Sequence, residues 1–365
     1  MAIYKIFPEK TATLYSYYPS LNTGLDEILE ISTYYSITGT DEVSRALLKF
    51  PSDQITDIIN NKISGSTFDI YLRLYLANAS EIPLNYTLFT HPLSANWNQG
   101  TGRLGNVPQT TDGVSWAYTL ESGSGAWATN PFTSGTTGSY SGTNYGGGTW
   151  LTSSLYQSTQ SFTNISSKDI EIKTTNTVKA WYSSSISNYG FILKHSSSLE
   201  FTTASKFELK YFSAETHTIY PPCLEFRWDD SVYSTGSLTV VTSSYFNLVL
   251  NNNKGEYQQE SVQRFRIKVR DLYPSVAFRS TLSFANSKAL PTSSYWSIKD
   301  LDTEEIVIDY DTSYTKLSCD SGGNYFDVYM NGLEPERYYK ILIKTVLSDN
   351  EVVVSDNNYI FKVIR

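Results

Sequence analysis

Several things are scarce in this 365-residue chain, and each scarcity removes a class of function. Charged residues make up 18%, below the usual ~25%, and the net charge is −8. No Lys/Arg cluster appears, so the basic stripe that nucleic-acid binding needs is missing, and so is a polybasic membrane-surface site. No apolar run approaches the ~18 residues of a membrane span. The start, Met1 to Pro19, lacks the apolar core of a signal peptide. Cys223 and Cys319 are the two cysteines, too few for a disulfide framework and too far apart for a zinc site. They are expected to be free, buried thiols, in keeping with assembly in a reducing cytosol.

The chemistry-bearing motifs are sparse as well. His91, His195 and His217 form no HxH, HExxH or Cys/His cluster. No Gly-x-Ser-x-Gly elbow places a serine nucleophile. Gly146-Gly147-Gly148 lacks the following Lys and helix of a phosphate loop. Acidic pairs occur at Asp26-Glu27, Asp229-Asp230 and Asp300/Asp302 with Glu304-Glu305. Neighbouring acids on a strand point to opposite faces, so such a pair cannot flank one glycosidic bond. Solvated turns are the default for these acids, with calcium as the sharper alternative. No catalytic residue, cofactor or metal ligand is assigned.

What the chain does have is alternation. Ala12 to Tyr17, Ile28 to Ser32 and Phe68 to Leu76 alternate apolar and polar residues, the period of strands with one buried face. Turn signals such as Asn22-Thr23-Gly24 and Ser64-Gly65-Ser66 separate them. Gln54 to Lys62 and Thr175 to Ser183 are the two short helical stretches, the second with Thr or Asn as candidate caps. The 29 Tyr, 17 Phe and 7 Trp suit strands and interfaces. The expected fold class is all-β: a jelly-roll-like β-sandwich over residues 1–230, then an immunoglobulin-like β-sandwich over 237–365. In the second, Leu333-x-Pro335-x-x-x-Tyr339 has the spacing of a tyrosine corner.

Glu121 to Ser154 has a different texture, rich in Gly, Ser and Thr, with Trp127, Phe132, Tyr140, Tyr145 and Trp150 interleaved. A pure linker would carry no aromatics. Either these rings pack on their own sandwich, or the segment is a folded loop that orders against a partner. Trp97, Trp116, Trp127, Tyr140, Tyr145 and Trp150 are the candidate interface or glycan contacts.

Residues of about 9 to 229 resemble the DNRLRE family of β-sandwich modules. The order of landmarks carries the resemblance. Thr11 to Ser32 is similar to its opening strand, Asn-x-Gly turn and second strand. Ser44 to Ile55, SRALLKFPSDQI, resembles its next strand. Trp97 with Gly100 and Asp112 to Trp116 resemble its paired tryptophan segments. Thr174 to Leu193 resembles its short helix with a Trp, followed by an Asn-x-Gly strand, and PPCLEFRW resembles the final strand. The opening Thr11-Ala12-Thr13 departs from the acidic residue expected there. The resemblance implies a binding or cell-surface module rather than an enzyme. In overall texture the chain also resembles virion structural proteins of tailed bacteriophages. That implies a neck, collar, tail or capsid-decoration component, located in the virion and assembled in the host cytoplasm. Its expected partners are other virion proteins and copies of itself, with a cell-surface glycan as a further one. The alternative is a carbohydrate-binding module of an adhesin or glycan-degrading enzyme.

Overall fold

Alternating sequence becomes alternating burial in some strands, whereas residues 11–14 and 29–33 are buried on both faces. Phe68–Leu74 buries Phe68, Ile70, Leu72 and Leu74, and Tyr338–Val346 buries Tyr339, Ile341, Ile343 and Thr345. The computed structural model describes residues 2–35, 41–65, 67–127, 137–138, 146–196, 200, 206–273 and 287–365. It is all-β, with 45% strand and 7% helix. Two units emerge: one holds residues 6–62 and 69–225, the other 1–5, 63–68 and 226–365.

In the first unit an antiparallel sheet of eight strands runs in the order Ser158–Thr163, Asn85–Pro92, Phe191–His195, Asp41–Lys49, Ile28–Tyr35, Phe207–Phe212, Leu76–Ser80. Lys10–Tyr15 pairs with Asp41–Lys49. A second sheet pairs Ile170–Lys173 with residues 71–74. The helical stretches sit where the spacing put them. Ser52–Asp57 is α-helical and continues as one π-helical turn, Ile58–Lys62, burying Ile55 and Ile58. Thr175–Tyr182 buries Val178 and Trp181, with the Trp181 ring 4.5 Å from Phe191. The expected side-chain cap is not made: Thr174 stands at the N-cap, yet its hydroxyl turns to the Ile70 carbonyl at 3.5 Å.

Both Asn-x-Gly landmarks are tie points. Asn22 is fully buried. It donates to the Gln99 and Val114 carbonyls at 2.6 and 2.8 Å and accepts from the amides of Gly24 and Gly102. Asn188 donates to the Phe50 carbonyl and accepts from the Gly190 amide. Gly190 has φ +94°, and a Cβ there would stand 2.2 Å from the Leu48 carbonyl oxygen. Only glycine meets both demands.

The second unit is a sandwich. One sheet runs Thr239–Val240, Lys288–Ala289, Val262–Asp271, Gly323–Tyr329, Ser318–Asp320, with Phe246–Leu250 also on Val262–Asp271. The other runs Glu256–Gln258, Val352–Ile364, Tyr338–Val346, Ser294–Asp300, Ile306–Ile308. Rings from the two sheets meet in one core: Trp296 and Phe326 at 5.1 Å, Phe265 and Phe361 at 5.6 Å. The tyrosine corner is present, with Tyr339 Oη donating to the Glu334 carbonyl at 3.0 Å. Cys223 and Cys319 are buried and form no disulfide.

Candidate functional site

The tryptophan segments do not form an open platform. Trp97, Trp116, Trp127 and Trp150 are 0, 1, 2 and 5% exposed. They share a core with Ala12, Leu14, Val43, Leu47 and Ile192 from the eight-stranded sheet. Two indoles are also anchored by hydrogen bonds: Trp97 donates to the Tyr189 carbonyl at 2.8 Å, Trp127 to that of Ser115 at 2.9 Å. The expectation that these four rings contact a partner or a glycan is thereby corrected. Apolar area of this size gains more from burial against the sheet than from exposure. Phe132, Tyr140 and Tyr145 lie outside the described residues.

Under this tryptophan layer sits a charged cluster that sequence reading missed. Arg45, 1% exposed, is bidentate to Glu200 at 2.8 and 3.0 Å and donates to the Gly147 carbonyl at 2.5 Å. Its guanidinium lies 4.9 Å from the Trp116 ring centroid and 5.1 Å from Trp150. Lys194 also reaches Glu200, at 2.9 Å. Burial alone would raise the Glu200 carboxyl, but Arg45 and Lys194 outweigh it and hold it below the usual range. Burial, helped by Arg45, pushes Lys194 down. His91 falls to about 4 for the same two reasons, burial and a nearby cation, here Lys194. Gly147 has φ +77°, and a Cβ on it would press within 2.7 Å of both Arg45 and Trp116. The glycine run is thus the lid over a buried ion triad. Fully enclosed and mutually satisfied, this cluster organises the core.

The acidic candidates are structural where described. Asp300 is fully buried and takes Arg337 bidentately at 2.7 Å through both oxygens. Its Oδ1 also accepts from the amides of Asp302 and Thr303. Asp26 accepts from the Leu104 amide, and Asp229 from that of Ser231. Among the described residues no group of three His, Cys, Asp or Glu converges as a metal site would require, and no helix is long and apolar enough to cross a membrane.

An open cleft of about 330 Å³ lies elsewhere on the first unit. Tyr15, Ser16, Tyr17, Tyr18, Glu30, Ser32, Tyr34, Glu42, Leu104, Glu208 and Lys210 line it. The strand Lys10–Tyr15 ends in a tight turn, with the Tyr18 amide donating to the Tyr15 carbonyl. That turn turns Tyr17 and Tyr18 outward, 56 and 38% exposed, edge to face with centroids 4.7 Å apart. The floor comes from neighbouring strands, where Glu208 pairs with Ser32 and Lys210 with Glu30 in register.

The floor carboxylates differ. Glu30 is 7% exposed; one oxygen takes the Ser32 hydroxyl at 2.7 Å, the other has only long contacts, Tyr15 Oη at 3.5 Å and Lys210 Nζ at 3.9 Å. Burial raises its proton affinity. Glu208 accepts from Lys210 at 2.5 Å and Ser80 at 2.7 Å. Burial raises it too, but Lys210, Ser80 and Tyr34 together pull it below the usual range. Burial and Glu30 push the Tyr15 hydroxyl up, and burial and Glu208 do the same for Tyr34, so both stay protonated. Carboxyls set apart in this way can run proton transfer; here one ammonium lies against Glu208 and 3.9 Å from Glu30. The arrangement is a bed of hydrogen-bond acceptors beside exposed rings.

No family model matches the chain, and no curated protein matches it.

Proposed function

We propose that the chain is a non-enzymatic virion structural protein of a tailed bacteriophage, a neck, collar, tail or capsid-decoration component. In this reading it makes contacts with copies of itself and other virion proteins and helps attach the particle to the host surface. The observation that carries the adhesive part is the tyrosine-lined cleft. Its polar groups are organised for hydrogen bonding, and exposed rings flank them, the composition of small-molecule binding sites. The placement in a virion rests on the texture of the sequence, and the landmarks that resemble DNRLRE-type modules support a binding or cell-surface module. The same cleft favours a second reading, a carbohydrate-binding module of an adhesin or glycan-degrading enzyme.

Light scattering on the full chain after size-exclusion chromatography separates the two. A defined homo-oligomer, or co-assembly with the proteins encoded by neighbouring genes, supports the virion reading. A strict monomer that binds soluble glycan and joins no assembly replaces it with the second.

A further inference from the structure

We propose that the cleft between Tyr17 and the Glu30/Glu208 floor binds a neutral, hydroxyl-bearing pyranose ring. Tyr17 is the stacking surface, and Glu30 and Glu42 are the hydroxyl acceptors. The inference rests on the attachment reading and names its ligand class. Three observations carry it.

The first is size. About 330 Å³ falls at the small end of the roughly 300–1,000 Å³ typical of ligand sites. It suits a terminal sugar ring better than an extended chain.

The second is the ring. Tyr17 remains 56% exposed although it lies edge-on to Tyr18, which steadies it. The C–H face of a pyranose is apolar and matches an exposed aromatic face, while Tyr keeps its hydroxyl wet.

The third is charge. Among the described residues of the lining, Glu30, Glu42 and Glu208 meet a single cation, Lys210. Lys210 lies closest to Glu208 and only 3.9 Å from Glu30. The lining is therefore anionic and repels acidic sugars. Yet Glu30 already faces an ammonium, so a second cation on that floor would meet like charge at short range. Neutral hydroxyl donors avoid both penalties. They also supply a short donor to the second oxygen of Glu30, which among the described residues is held at 3.5 Å or longer.

The test uses the full chain and saturation-transfer NMR. The probes are methyl α-D-glucopyranoside, methyl β-D-galactopyranoside, N-acetylglucosamine, glucuronate, N-acetylneuraminate and choline. At least one neutral sugar should show transfer, weakened about tenfold in Tyr17→Ala, a side chain exposed enough to remove without cost to folding. Glu42→Gln should weaken it as well, and the acidic sugars should show none. Transfer to choline or an acidic sugar without any neutral one overturns the proposal, and so does neutral-sugar transfer unchanged in Tyr17→Ala. An array of bacterial surface polysaccharides separates this failure from that of the attachment reading. Array binding that survives both substitutions leaves attachment standing and removes the cleft; no binding in either assay removes both.

Discussion

Glu200→Gln is the most informative perturbation of the core. It keeps the shape of the side chain and deletes its charge. In the native protein one carboxylate serves two buried cations, Arg45 at 2.8 Å and Lys194 at 2.9 Å. Removing one partner of a buried ion pair costs about 3–5 kcal/mol, a large part of the 5–15 kcal/mol that holds a typical domain. The loss belongs at the upper end here, because the two cations are left facing each other. Arg45→Met makes the contrast. It leaves Lys194 and Glu200 as a one-to-one pair, gives up the bond to the Gly147 carbonyl and two ring contacts, and should cost about 2–3 kcal/mol. The double substitution should cost less than the sum, since the sites share one network. Urea unfolding followed by tryptophan fluorescence reads all three, with Trp116 and Trp150 against the cluster. The pH dependence adds a second check. Lys194 titrates below 10.5 in the folded chain and should fall further without Glu200. Between the folded and unfolded values the unfolded chain holds more protons, so stability rises with pH there. The deficit of Glu200→Gln should therefore shrink as pH rises toward 10.5. A cost below about 1 kcal/mol, or Arg45→Met proving the worse of the two, would refute the idea that this carboxylate neutralises the core.

Acid should destabilise the first unit through His91, whose folded value is about 4 against 6.5. Stability is complete above pH 6.5 and declines as pH falls toward 4, by about 3 kcal/mol; His91→Phe should flatten that slope in melting curves, and an unchanged slope would assign it to other groups. Tyr339→Phe should lower the stability of the second unit by about 1–2 kcal/mol through the lost bond to Glu334, and no shift in chemical denaturation of the full chain would show the corner to be ornamental. Gly190→Ala should cost at least about 3 kcal/mol, against about 1 for Gly65→Ala. Both glycines have positive φ, but only Gly190 has a carbonyl in the way, so equal losses would discount the steric argument.

Strands, helices and the tyrosine corner were legible because each depends on residues near one another in sequence. Phe68 to Leu74 declares its buried face by alternation alone, and Leu333 to Tyr339 carries its geometry within seven positions. The fate of the tryptophans was not legible, since an indole is equally at home under a loop and on a binding surface. What decides between them is the far face of the eight-stranded sheet, where Leu14, Leu47 and Ile192 need covering. The partner of Arg45 lies 155 residues away in a serine-rich stretch with no pattern of its own. The cleft is assembled from a turn at residues 15–18, strands at 30–34 and 208–210, and Leu104. Register, which local sequence states only weakly, brings those together. The signal that could have found it is Tyr17-Tyr18, two rings in succession where the alternation from Ala12 ends, both of them left exposed.

The interleaving of the two units has a mechanical side. Residues 1–5, 63–68 and 226–365 group together, and the cleft-bearing unit is threaded between them. Tension applied across residues 2 and 365 is borne first by the unit that holds both points. It reaches the inserted unit only after residues 1–5 have been pulled from their neighbours. Such a layout makes the short leading segment the first to yield under that pull. The unit of residues 6–62 and 69–225 keeps its fold until that segment has let go.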